Sequence, residues 1–146
     1  MPADQGPERF SIRIAIQPDD IDQLGHVNNV VYLRWVQDAA VAHWRATASA
    51  ADQEALAWVV TRHEIDYTRP ATEGDEIIAT TWVGTASRLA FDRHTELHRA
   101  RDGKLLAQAR TVWCPIDRAT GKPTKVSSAV RATFSVPLPV DGAAPP

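Results

Sequence analysis

Asp22, Gly25, His26, Asn28 and Asn29 fall within eight residues, and Tyr32 and Trp35 follow closely. Asp22 stands four positions before His26 and seven before Asn29. A strand-like segment ends ahead of this run and an apolar, alanine-rich helix opens behind it. The carboxylate therefore sits beside the unpaired N–H groups of a helix start, whose dipole keeps it ionised. An ionised carboxylate can attack a carbonyl directly or take a proton from water. Helix-start N–H groups, that of Asn29 foremost, can donate to the carbonyl oxygen as it gains charge, a contribution of roughly 3 kcal/mol per donor. Gly25 lets the loop approach a substrate closely or turn through a left-handed conformation. A plainer reading stands beside this one. Asp19, Asp20 and Asp22 serve as turn formers and dipole partners, and Asn28 and Asn29 as caps. His26 then links loop to strand, and Tyr32 and Trp35 are core residues.

The elements that would position these residues are legible from periodicity. Phe10, Ile12, Ile14 and Ile16 alternate with polar residues and predict a half-buried strand that stops at Pro18. Asn28 or Asn29 caps a helix running to about Ala48, with Val31, Trp35, Ala39, Ala42 and Ala46 as its apolar stripe. The period then becomes strand-like. Leu56–Thr68 places Val59, Thr61, His63, Ile65 and Tyr67 on one face, and Glu76–Val83 follows the turn at Thr72–Asp75. Leu89–Leu97 and Leu105–Ile116 flank an Asp102-Gly103 turn of the hairpin type, and Lys125–Phe134 predicts a short helix. One helix followed by antiparallel strands is α+β rather than βαβ. A single helix cannot cover both faces of such a sheet, so the sheet should wrap around it and leave a face or edge for a second copy.

A chain of 146 residues is expected to form one domain, here 8–135, with Pro-, Gly- and Ala-rich tails at 1–7 and 136–146. The net charge of −2 and the absence of any basic run argue against nucleic acid and against an anionic membrane surface. No apolar run is long enough to span a bilayer, and the N-terminus lacks the pattern of a secretory signal. Cys114 is the only cysteine, which excludes an internal disulfide and a cysteine-based zinc site and suits the cytoplasm.

The run Asp22-Gln23-Leu24-Gly25-His26-Val27-Asn28-Asn29-Val30-Val31-Tyr32 resembles the active-site signature of hotdog-fold thioesterases. It is most similar to the branch that contains 4-hydroxybenzoyl-CoA, long-chain acyl-CoA and acyl-acyl-carrier-protein thioesterases. Glu64–Pro70 and Glu73-Gly74-Asp75 resemble that family more weakly. The resemblance implies a hotdog fold, one long helix wrapped by a five- to six-stranded antiparallel sheet, in homodimers or homotetramers with active sites at the dimer interface. It implies hydrolysis of an acyl-CoA or acyl-ACP thioester by water, which needs no metal and no redox cofactor. Asp22 matches the nucleophile or general base, Asn29 the carbonyl-polarising amide, and His26 a histidine used by the acyl-ACP branch. That branch places an asparagine two residues after the acid, where this chain has Leu24. Asp22 is therefore the leading residue, with His26 orienting or shaping the loop. Gly25, Asn28, Tyr32 and Trp35 are the expected substrate contacts, with Val31, Val59 and Phe91 as further acyl-pocket candidates. Arg62, Arg69, Arg88, Arg93, Lys122 and Lys125 are candidates for the CoA phosphates. A second branch carries its carboxylate on the helix, where Asp38 is one position out of register with it and reads better as a solvated side chain. Two other functions stay open, a hotdog acyl-CoA hydratase or dehydratase and a non-catalytic acyl-CoA binding module.

Overall fold

A computed structural model describes residues 8–134. The two tails and Ser135 lie outside the described residues. Strand β1 (Phe10–Ala15) leads through one 3-10 turn (Pro18–Asp20) and an irregular loop into helix α1 (Asn29–Thr47). A short helix, α2 (Ala50–Ala55), precedes strands β2 (Leu56–Tyr67), β3 (Glu76–Ala86), β4 (Phe91–Arg99) and β5 (Leu105–Asp117), and helix α3 (Ser128–Thr133) closes the described chain. The five strands form one sheet in the order β1-β3-β4-β5-β2, and every neighbouring pair is antiparallel. β1 and β2 lie at opposite edges of the sheet, and α1, which stands between them in sequence, packs against β1, β3 and β4.

α1 begins where Asn28 accepts a hydrogen bond from Val30 N at 3.2 Å, which assigns the cap to Asn28 rather than Asn29. Its buried face is Val31, Tyr32, Trp35, Val36, Ala39, Ala40 and His43. Beyond Ala39 the face continues through Ala40 and His43 rather than through Ala46, which is exposed. A period of 3.6 carries strict four-residue steps progressively off the buried face. The main core joins this face to Ile77, Ala79, Leu97, Leu106, Ala107 and Ala109 of the sheet. The small alanines on both sides let helix and sheet approach closely.

β2 departs from simple alternation. Its register against β5 shifts between Val60 and Arg62, so Thr61 is an extra residue and the face changes along the strand. Five strands lie within the expected range, and the short α2 is an element that the sequence reading left out. No helix among the described residues is long and apolar enough to cross a membrane.

Candidate active site

The loop between β1 and α1 is a tight hairpin pinned at both ends. Asp22 N donates to His26 O at 2.7 Å, Val27 N to Ala71 O at 2.8 Å, and Asn28 N to Asp20 O at 2.8 Å. Gly25 closes the bend with φ of +80°, a conformation that an L side chain resists. Inside this turn Asp22 Oδ1 accepts from Leu24 N at 2.8 Å and from His26 N at 3.2 Å. Oδ2 makes no hydrogen bond among the described residues. One carboxylate oxygen thus fixes the side chain and the other is left for chemistry.

The helix start faces the same space. Val30 N is taken by the Asn28 cap and Val31 N by Asn28 O, whereas Asn29 N has no acceptor among the described residues. Asp22, Leu24, His26, Asn28, Asn29 and Tyr32 line one side of a cleft of about 470 Å³, and Tyr67, Thr68, Arg69 and Pro70 line the other. Tyr67 donates to Asn29 O at 3.1 Å, tying the end of β2 to the first turn of α1. Tyr32 is buried, and its hydroxyl accepts from Ala71 N at 2.8 Å. Burial raises the Tyr32 pKa above its ordinary value, so the phenol stays neutral.

Asp20 anchors the whole turn. It is 3% exposed, and its carboxylate accepts from Gln17 N and from Arg34 Nη2, each at 2.9 Å. Burial alone would raise its pKa, but these two donors outweigh it and the net shift is downward. Sequence reasoning grouped Asp20 with the turn formers and did not separate it from its neighbours. Arg34, fourteen residues on, gave no signal for the pairing. Of the opposite wall, Tyr67–Pro70, only Arg69 is a candidate from sequence, because the segment joins the loop only through the fold.

The structure brings Asp22, His26, Asn28, Asn29 and Tyr32 together. Gly25 shapes the turn without lining the cleft. Trp35, expected at the substrate, is 1% exposed and packs in the core with its ring 5.2 Å from that of Tyr32, so its place here is structural. Val31 is likewise core, Val59 lies exposed on β2, and Phe91 lines a different cavity. Of the cations considered for phosphates, Arg69 is in the cleft wall, whereas Arg93 is buried and cannot be a surface contact. Asp38 is exposed on α1 and outside the cleft.

Comparison with known proteins concerns the family and the fold. The model of the thioesterase-like superfamily matches residues 16–134. A chloroplast acyl-[acyl-carrier-protein] hydrolase of Cuphea viscosissima is 34% identical over 88 residues, 60% of this chain and 21% of that protein. The chain therefore spans only about a fifth of the length of that curated relative. Among solved structures, a thioesterase from Thermus thermophilus complexed with coenzyme A and Zn superposes with a TM-score of 0.75 at 25% identity, covering 85% of this chain and 90% of that one. A 1,4-dihydroxy-2-naphthoyl-CoA thioesterase from Synechocystis superposes with a TM-score of 0.76 at 20% identity, covering 88% of this chain and 96% of that one.

Proposed function

The chain belongs to the thioesterase-like superfamily, and we propose that it hydrolyses the thioester of an acyl-CoA or acyl-ACP, with Asp22 as nucleophile or general base. The observation that carries this reading is the pairing of a half-used carboxylate, Asp22, with an unpaired helix-start amide, Asn29, in one cleft. The thioester carbonyl oxygen accepts from Asn29 N–H, which stabilises the negative charge that develops as the carbonyl carbon is attacked. Asp22 Oδ2 either attacks that carbon, giving an acyl-enzyme anhydride that water then hydrolyses, or removes a proton from a water that attacks it; in both cases the C–S bond breaks, the thiolate takes up a proton and leaves as the thiol, and the free acid is released. Oδ1 keeps its two backbone hydrogen bonds throughout, so little reorganisation is needed. His26 contributes its backbone N–H to the fixing of Asp22 and shapes the cleft wall with its ring.

Edge and surface support a homodimer or homotetramer. Among the described residues β2 has a partner strand on one side only. Leu24 and Val30, 79% and 67% exposed, place apolar side chains beside the cleft, where a second copy would cover them. The single cysteine fits a cytoplasmic address.

The test is thiol release across acyl-CoAs from acetyl to palmitoyl, with benzoyl-CoA and phenylacetyl-CoA added. Turnover of at least one member is expected, and its size preference reports the acyl pocket. Absence of turnover with every acyl-CoA and with an acyl-ACP would remove the hydrolase reading.

A further inference from the structure

A second cavity, of about 370 Å³, lies along the C-terminal half of α1. Trp44, Trp58, Phe91, Trp113 and Phe134 form its aromatic walls. Trp44 stacks on Phe134 at 5.8 Å, and Trp58 meets Trp44 and Phe91 edge-on at 5.5 and 5.0 Å. The Asp22 cleft is elsewhere. Asn29 and Ala40 are eleven residues apart on α1, about 16 Å along its axis. Tyr32, Trp35 and Val36 fill the core between them.

The cavity is mostly apolar, and its charged lining is one-sided. Among the described residues Arg45, Arg93 and Arg118 line it and no carboxylate does. Arg93 is the decisive residue. It is only 7% exposed, and its Nη1 donates to His43 Nδ1 at 2.9 Å and to Thr81 Oγ1 at 3.2 Å. No carboxylate lies within ion-pair distance of it among the described residues. The nearest acid in its network is Glu8, which is reached only through the imidazole, His43 Nε2 to Glu8 Oε1 at 3.3 Å. Burial, and then the charge of Arg93, push the His43 pKa below its ordinary value, so the ring is neutral and gives Arg93 no counter-charge. Nε and Nη2 of Arg93 make no hydrogen bond among the described residues. Arg93 is itself one of the residues that line the cavity.

A desolvated guanidinium without an anion is costly, and an aromatic cavity beside it offers room for a ligand that brings one. We propose that this cavity is a binding site for an apolar carboxylate, with the anion held by Arg93 and the apolar body held between Trp44, Trp58, Phe91 and Phe134. The planar fork of Arg93 suits a carboxylate better than any neutral acceptor. The inference goes beyond the hydrolase reading and does not require it, because the ligand is recognised without any bond being broken.

The test uses the full chain and a matched pair of probes, 4-phenylbutyrate and its neutral amide, titrated by calorimetry. The acid is expected to bind at least about tenfold more tightly than the amide. In Arg93→Gln, which keeps a side-chain N–H donor for His43 or Thr81, the ratio is expected to fall to within about twofold while the amide still binds. Equal affinity for acid and amide in the unaltered protein, or binding of neither, overturns the proposal without reference to any variant. A ratio that survives Arg93→Gln overturns it as well.

Discussion

At the scale of the residue, the carboxylate of Asp22 does two jobs with its two oxygens. Oδ1 accepts from Leu24 N and His26 N, and that half of the side chain can be kept by an amide oxygen. Asp22→Asn should therefore hold the turn and lose only the negative charge, whereas Asp22→Ala loses both. The melting temperature of Asp22→Asn is expected to stay close to the parent value and that of Asp22→Ala to fall, a difference that calorimetry reads directly. His26→Ala keeps the backbone N–H that Asp22 uses, so its kcat is expected to drop by less than about tenfold. Two positions away, Asp20 has the opposite character. Its pKa is lowered in the fold, as is that of Asp75, where donors from Thr72 and Arg101 likewise outweigh burial. A depressed carboxylate contributes stability that is present above its unfolded value near 3.8 and is lost as pH falls through the folded value. Stability should thus decline below about pH 4. Asp20→Asn should cost about 1.5–3 kcal/mol at neutral pH in urea titrations and flatten that acid decline. The three neighbouring aspartates were legible as a cluster, but their division of labour was not. Asp20 is set apart by burial and by Arg34, and neither is written in local spacing.

At the scale of the element, the cleft exists because two segments distant in sequence are tied to the same helix turn. Tyr32 holds the segment at Ala71 by its hydroxyl, and Tyr67 holds Asn29 O by its own. Tyr32→Phe leaves Ala71 N buried without its acceptor, which should cost about 1–3 kcal/mol. Because this loosens the wall and leaves Asp22 in place, KM is expected to rise more than kcat falls, as steady-state kinetics on the preferred substrate would show. An unchanged KM would mean that this wall does not touch substrate. The helix itself was readable from its cap and its apolar spacing, since both signals are local. Strand β2 was readable in extent but not in facing, because the bulge at Thr61 breaks a period of two that sequence alone extends unbroken. Trp35 misled for a related reason. A large aromatic residue near a site motif fits core and pocket equally well until the packing is known, and here the core claims it.

At the scale of the whole molecule, the fold leaves its site open toward a surface that one copy does not cover. The free edge of β2, with Val59 and Tyr67 46% and 42% exposed, and the apolar Leu24 and Val30 fit a partner subunit. Sedimentation equilibrium should return two or four times the 16.0 kDa of one chain, and a monomer at micromolar concentration would remove the shared-site reading. The fold was the most legible property, because element order and antiparallel turns suffice to exclude alternation of strand and helix. Arg93 was half legible. Alternation along its strand puts it on one face with Phe91, Thr95 and Leu97, but the aromatic cavity beside it is made only by the fold. Hydrolysis is assigned to one carboxylate, and kcat for thiol release by Asp22→Asn on the best acyl-CoA substrate tests that assignment. A loss of at least about a hundredfold, with secondary structure and oligomeric mass unchanged, is the predicted result. Retention of the parent kcat would contradict the account, since the charge it assigns to the reaction would then be dispensable.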